Sequence, residues 1–205
     1  AVHAYCAQMF GRTGPTWYSE GMAEMGQYWK EKEKAVNANE YVIKYIQQSR
    51  PRSLKDIVGD PDAQAGTWQD YAWRWALCHL LANNPNYAKR FRPLGLGLLN
   101  NQPVSFEQVY GAMASEISFE YLFFLEHLDN GYRVDLCAWD WKRRFLPLTG
   151  SRTLSAKIEA DHGWQPSGCV LKEGQEYVYS TTGDWSVEED GDDISPAGGS
   201  DGRGR

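Results

Sequence analysis

Apolar positions recur at helical spacing through the first 145 residues of the chain, which predicts a mainly α-helical region. Proline and glycine divide this region into separate segments, because neither continues a helix well. The second predicted helix is rich in β-branched and aromatic residues, so a strand remains an alternative there. The third aligns Tyr71, Trp75 and Cys78 on one face, and we expect it to be largely buried. The predicted helices span residues 17–29, 39–48, 67–82, 86–99 and 115–128.

The pattern changes after Pro147, where short extended runs replace the helical spacing. Residues 169–171 and 177–180 are rich in Val, Leu and Tyr, and Gly174 between them predicts a turn. These two runs therefore indicate the start of a β-rich region. The tail over residues 188–205 is acidic and glycine-rich, which favours a solvated loop, with a calcium loop or a frayed truncated end as the alternatives.

These two patterns predict two domains. A helical domain over residues 1–148 is followed by an incomplete β-rich module over residues 149–205. The expected fold class is therefore mainly α, followed by a partial β-sandwich, and α+β overall. The chain begins at Ala1 inside a helical pattern and stops within a glycine-rich stretch, so we interpret both ends as truncations.

The amino-acid composition narrows the classes of molecule that this chain is expected to bind. The 21 basic and 27 acidic residues give a net charge of -6, which offers no broad field for nucleic acid and excludes it as the expected partner. Nine Trp and twelve Tyr suit a core, or a groove for peptide or carbohydrate. No run approaches the roughly 20 apolar residues of a transmembrane helix. The cysteines lack close CxxC pairing, so their redox state stays open; they are Cys6, Cys78, Cys137 and Cys169.

The segment over residues 3–29 carries the candidate chemistry. It resembles the active-site core of gluzincin metallopeptidases, the peptidase MA-like group. In that family a helix carries H-E-x-x-H, the following turn carries P-x-W, and a second helix carries E-G-x-A-E. The residues of this chain that match the last two elements are Pro15, Trp17, Glu20, Gly21, Ala23 and Glu24.

The resemblance implies a zincin-like helical subdomain that hydrolyses a peptide or protein substrate with a zinc cofactor. It implies His3 as the first zinc ligand and Glu20 as the third. Glu24, one helical turn later, would support a ligand from outside the metal shell. Tyr71, in a later helix, would donate a hydrogen bond to the oxyanion of the tetrahedral intermediate. A secreted or cell-envelope location is favoured by the resemblance alone.

Two departures from the family pattern affect the chemistry directly. Residues four apart share one helical face, so the family's two histidines can hold one zinc while the glutamate activates its water. Here Ala4 takes the place of the catalytic glutamate and Ala7 takes the place of the second histidine. Cys6 is the nearby candidate for a replacement ligand, as a thiolate. Whether zinc is retained is left open.

The hypothesis from the sequence is therefore a metallopeptidase-like domain that is catalytically degenerate, a pseudoenzyme. The alternative is a non-catalytic protein that binds peptide or glycan on a peptidase scaffold, and a third interpretation is a purely structural scaffold. His79, His127 and His162 lack ligand spacing and are interpreted as structural or exposed. The C-terminal segment from Gly163 onward resembles the opening strands of galactose-lectin-like β-sandwich modules, but no sugar-binding residue is implied within it.

Overall fold

The computed structural model describes residues 1–59, 66–159, 161–186 and 193–196. The chain is mainly helical, with 48% helix and 3% strand, which confirms the mainly α prediction. It divides into two compact units, Ala1–Trp141 and Lys142–Arg205. Within the described ranges, no helix combines the length and the hydropathy that crossing a bilayer requires.

All eight α-helices that the structure describes lie in the first unit. The five predicted helices correspond to α2, α3, α5, α6 and α8, with ends shifted by a few residues, and the strand alternative at α3 is wrong. Two helices, α4 and α7, escaped prediction because each has five residues, too few to show a helical period. The helices are α1 Val2–Phe10, α2 Thr16–Gln27, α3 Glu40–Gln48, α4 Leu54–Val58, α5 Trp68–Asn83, α6 Ala88–Leu99, α7 Phe106–Tyr110 and α8 Ala114–Glu126.

The start of α5 is fixed by Asp70 in its first turn. The Asp70 carboxylate accepts hydrogen bonds from the Thr67 backbone N–H at 2.7 Å and from the Thr67 hydroxyl at 3.0 Å. Arg52 pairs with the same carboxylate at 2.5 Å. Burial raises the pKa of Asp70, but the hydrogen bonds from Thr67 and Arg52 outweigh it and lower the pKa to about 2. The interaction ties the segment before α4 to α5.

Helix α5 forms the centre of the first unit, and the prediction that it is largely buried is confirmed. Trp75 and Cys78 are at most 1% exposed, whereas Tyr71 is half-buried near the start of the helix. Helix α2 crosses α5 at Gly21 so closely that a Cβ there would lie 2.4 Å from Cys78 Sγ and 2.8 Å from the Arg74 carbonyl oxygen. This crossing therefore requires glycine at position 21.

The second unit contains little regular structure in its described residues. Its strands β1 Leu146–Pro147 and β2 Cys169–Val170 form a parallel pair, and Trp185 and Ile194 form an isolated antiparallel bridge. The predicted run over 169–171 is thus partly a strand. The run over 177–180 is not a strand; the Tyr177 hydroxyl instead accepts the Lys172 backbone N–H at 2.9 Å.

The partial β-sandwich stays a prediction, because the described residues of this unit show only the two-stranded pair and the bridge. The predicted tail loop or calcium loop lies outside the described residues, apart from positions 193–196. Position 178, in the run that was predicted to be a strand, carries a valine that is 98% exposed.

Candidate metal-binding site

The first two helices place His3 beside Glu20. Helix α1 ends at Gly11, which adopts a left-handed backbone with φ of 70° and donates its N–H to the Ala7 carbonyl. Pro15 then precedes the first residue of α2, where its missing N–H costs nothing. In the resulting arrangement, His3 Nε2 lies 3.4 Å from Glu20 Oε2. The two residues implied as zinc ligands are thus brought together.

The separation between these two atoms is that expected of two ligands of one zinc ion. Ligand atoms about 2.1 Å from a tetrahedral ion lie about 3.4 Å from each other. The distance of 3.4 Å between His3 Nε2 and Glu20 Oε2 agrees with this value. It agrees equally with a long ion pair between a protonated imidazole and a carboxylate, so the distance is consistent with a metal site without requiring one.

The ring nitrogen of His3 has a competing partner. His3 Nε2 also lies 3.2 Å from the Ser19 carbonyl oxygen, which can only accept a hydrogen bond. When Nε2 carries the proton, it donates to these oxygens and cannot bind a metal. Metal binding through Nε2 therefore requires the tautomer that has its proton on Nδ1. The His3 side chain is 44% exposed and that of Glu20 is 14% exposed, so the pair lies at the surface.

The rest of the family's ligand set is incomplete. Ala4 and Ala7 are exposed on α1 and offer no ligand atom. Cys6 is partly buried, and burial raises the pKa of its thiol, so the thiol stays protonated at neutral pH. Among the residues that the structure describes, His3, Cys6 and Glu20 do not form a group of three converging ligand atoms. These residues do not fit a tightly held catalytic zinc, which needs three protein ligands.

Glu24 lies one turn after Glu20 and interacts with Tyr28. The pKa of Tyr28 is raised to about 12, first by burial and then by the charge of the Glu24 carboxylate and a hydrogen bond with it. The Tyr28 ring packs edge to face on Trp75 of α5, with ring centroids 5.7 Å apart. Glu24 is therefore connected to the α2–α5 interface through Tyr28.

Tyr71 lies on α5, the helix that packs against α2. Its ring contacts the Arg74 guanidinium, whose central carbon is 6.0 Å from the ring centroid. Within the described residues, no hydrogen bond or ion pair joins Tyr71 to His3 or Glu20. The role of Tyr71 as an oxyanion donor stays a prediction.

The other histidines fall into the predicted classes. His79 is buried between the rings of Trp75 and Phe124, and burial lowers its pKa to about 4. His127 is exposed. The sequence analysis missed one grouping, in which exposed His162 lies 3.1 Å from Glu159 and 3.3 Å from an adjacent aspartate. Exposed acidic groups of this kind are common without a metal, so we assign no site to it.

Comparison of the chain with known protein families, with curated proteins and with solved structures finds no match to any of them. The resemblance to gluzincins therefore rests on the residues quoted above and on their positions in the helices. A signal for the crossing at Gly21 was present in the sequence, since glycine is unfavourable inside a helix unless close packing requires it.

Proposed function

We propose that the first unit is a gluzincin-like, metallopeptidase-like domain that is catalytically degenerate. The observation that carries the proposal is the approach of His3 Nε2 to within 3.4 Å of Glu20 Oε2, which joins the two retained ligand positions of the motif. The P-x-W and E-G-x-A-E elements support it, because they place Glu20 on a helix that lies against α1 and α5. The second unit is proposed to be the start of a β-sandwich module.

The proposed loss of catalytic activity follows from the residues of α1. A catalytic base contributes about 10²- to 10⁴-fold to a reaction rate, and Ala4 has no group that could accept a proton. In an active relative of this design, the reaction would be zinc-dependent hydrolysis of a peptide bond. Tyr71 would then stabilise the oxyanion, and Glu24 would steady the ligands from α2. No residue of this chain is proposed as the base.

The absence of a catalytic base also favours the alternative, a non-catalytic domain that binds peptide or glycan. The specific observation is that Ala4 and Ala7 are exposed on α1 and offer neither a general base nor a ligand atom beside His3. A ligand could then approach the His3 and Glu20 pair without being cleaved. Residual zinc-dependent peptidase activity would favour the metallopeptidase-like function, and binding of a peptide or glycan without cleavage would favour the alternative.

A gain-of-function substitution tests the proposed metal geometry. Ala7→His places an imidazole four residues after His3, on the same helical face, and should complete a three-ligand set with Glu20. We expect zinc affinity to rise at least about tenfold, measured by competition with a chromophoric chelator. Adding Glu20→Gln to this variant should remove the gain.

The matched control is Gln8→His, at the next exposed position of the same helix. A histidine five residues after His3 is rotated away from its face, so the affinity should stay within about twofold of the original chain. Equal gains from Ala7→His and Gln8→His would contradict the proposed site, since they would report unspecific binding by an added imidazole.

A further inference from the structure

Two segments of the first unit that lie far apart in the sequence are joined by four hydrogen bonds. One segment precedes α3 and the other follows α8. The Val36 N–H donates to the Tyr132 carbonyl oxygen at 2.8 Å, and the Gly131 N–H donates to the Val36 carbonyl oxygen at 2.8 Å. The Asn130 side chain completes the pairing, because its Oδ1 accepts the Ala38 N–H at 2.9 Å and its Nδ2 donates to the Ala38 carbonyl oxygen at 3.1 Å. We call this arrangement the Asn130 clasp; its members are Val36, Ala38, Asn130, Gly131 and Tyr132.

Asn130 stands in the sequence context that most favours the loss of a side-chain amide. It is the only asparagine of the chain that a glycine follows. Glycine has no Cβ, so its backbone nitrogen can reach the side-chain carbonyl carbon of the preceding asparagine with little steric hindrance. Asn130 and Gly131 are both exposed, so water reaches them. If the chain were unconstrained, we would expect it to deamidate first at this dipeptide.

The reaction is a cyclisation followed by a hydrolysis. The Gly131 nitrogen gives up its proton to a solvent base and attacks Asn130 Cγ, which forms a C–N bond and closes a succinimide ring. The Cγ–Nδ2 bond then breaks, and Nδ2 takes up a proton and leaves as ammonia. One water molecule opens the ring at either carbonyl, which leaves an aspartate or an isoaspartate whose backbone runs through the side chain. The sum is amide plus water to acid plus ammonia, so no oxidant or reductant takes part.

The fold opposes this reaction at both reacting groups. The Gly131 N–H is donated to the Val36 carbonyl oxygen, so the nucleophile keeps its proton while the clasp is closed. The Asn130 amide is bonded to both polar groups of the Ala38 backbone, which fixes the orientation of Cγ. Proton loss and rotation of the amide both require these bonds to break. Deamidation therefore requires a local opening of the segment before α3.

We propose that Asn130 is a deamidation site that the clasp protects, and that its deamidation opens the clasp permanently. An ionised aspartate has only acceptors, so an oxygen replaces Nδ2 opposite the Ala38 carbonyl oxygen. Two acceptors at hydrogen-bond distance repel each other, and an isoaspartate also adds a backbone atom that shifts the position of Gly131. The product therefore cannot re-form the pairing. This inference goes beyond the proposed metallopeptidase-like function and does not depend on metal binding at His3 and Glu20.

The first test measures the protection. The full chain is incubated at neutral pH, and deamidation of Asn130 is followed by peptide mapping and mass spectrometry. The rate in the folded chain should be at least about tenfold lower than in the same chain unfolded in urea, because only the open fraction reacts. Equal rates in the two conditions would overturn the proposal.

Two proline variants, checked for folding by circular dichroism, locate the protection in the clasp. Ala38→Pro removes the N–H that Asn130 Oδ1 accepts, and should raise the rate in the folded chain at least about threefold. The matched control is Ala35→Pro, which removes an N–H from the same segment that is donated instead to Glu33 Oε1 at 2.8 Å. Its rate should stay within about twofold of that of the original chain. Equal rates for the two variants would refute the role of the clasp.

A mimic of the product tests the permanent opening and keeps the proposal falsifiable whether or not the proline variants fold. Asn130→Asp should speed hydrogen exchange of the Val36 and Gly131 amides at least about tenfold, since the carboxylate cannot donate a hydrogen bond. The control is Asn39→Asp, which adds the same charge where Oδ1 accepts the Tyr41 N–H at 2.9 Å, a role that aspartate fills equally well. Exchange at the two amides should then stay within about twofold. Unchanged exchange in Asn130→Asp, or an equal rise in both variants, would contradict the proposal.

Discussion

Helices α1 and α2 carry the two halves of the metallopeptidase-like motif, and they differ sharply in how they are packed. Helix α1, all of whose residues are described, has no buried residue. Helix α2 buries four of its twelve residues, namely Trp17, Tyr18, Ser19 and Gly21. The positions that match the gluzincin pattern are concentrated on the buried helix. The positions that depart from it, Ala4 and Ala7, are on the exposed one.

Because the two helices are packed differently, the residues of the motif are constrained by packing on α2 and only by chemistry on α1. Gly21 is required by the close approach of α2 to Cys78 and Arg74 of α5, whether or not a metal binds. The match of Gly21 to E-G-x-A-E therefore reflects how α2 packs on α5 and is not evidence of metal binding. Exposed positions such as Ala4 have no packing role that would fix their identity, so only chemistry would require Glu or His there. Under the proposed function, the residues of α1 are thus the ones that decide whether the domain is active.

The largest effect should come from disturbing the α2–α5 crossing. Gly21→Ala places a Cβ 2.4 Å from Cys78 Sγ and 2.8 Å from the Arg74 carbonyl oxygen. Because backbone cannot yield locally, we expect the free energy of unfolding to fall by about 3 kcal/mol or more. Chemical denaturation followed by circular dichroism measures it.

The matched control is Gly26→Ala on the same helix. A Cβ there would meet Val2 Cγ2 at 2.5 Å, but this is the end of a side chain on α1, which can move. Alanine also gains up to about 1 kcal/mol over glycine in a helix. We expect a net change within about 1 kcal/mol. Equal losses at positions 21 and 26 would contradict the contrast between the two helices.

Acid should weaken the core around α5 through His79. Its pKa is lowered by burial from 6.5 to about 4, so the unfolded chain binds a proton more readily than the folded one in that interval. The contribution is fully present above pH 6.5 and is lost as the pH falls to about 4, by at most about 3 kcal/mol. We expect His79→Phe to lose less stability than the original chain between these pH values.

The control for the acid effect is exposed His127, where His127→Gln should leave the pH dependence unchanged. Urea denaturation at a series of pH values measures all three proteins. Parallel curves for the original chain and His79→Phe would show that His79 does not cause the acid sensitivity, leaving the carboxylates as its source.

The smallest effects should come from α1. His3→Ala removes a partly exposed contact with Glu20, and we expect it to cost less than about 1 kcal/mol of unfolding free energy. Met9→Ser changes a 59% exposed side chain and should cost less than about 0.5 kcal/mol. Thermal unfolding measures both. A loss at either position comparable to that at Gly21 would show that α1 is part of the core.

Much of the helical fold was predictable from the sequence, because long helices show apolar residues at helical spacing and end near proline or glycine. Helix α5, predicted over 67–82, is observed over Trp68–Asn83. Prediction was poorest where structure depends on distant partners. The run over 177–180 has strand-forming residues but no strand, since a strand needs a neighbour to hydrogen-bond with.

The candidate site was predictable in its members but not in its geometry. The spacing of His3 and Glu20 within the motif suggested that they meet, yet only the folded arrangement gives the Nε2 to Oε2 distance and the competing Ser19 carbonyl. Glu120 gave no sequence signal at all. Its carboxylate is fully buried and accepts hydrogen bonds from Asn84 and Asn86 in the loop after α5 and from Trp139 and Trp141 in the segment after α8. No periodic pattern in the sequence connects such positions.

The sequence by itself determined the mainly helical character of this protein, since that follows from local periodicity. It also determined, by residue identity alone, that position 4 has no carboxylate and position 7 has no imidazole. The tertiary structure alone decided which residues of α5 lie against Gly21, namely Arg74 and Cys78, and that Glu120 is buried among four hydrogen-bond donors. The physical reason is distance along the chain. Contacts between residues far apart in sequence depend on how complete helices pack, which no local pattern specifies.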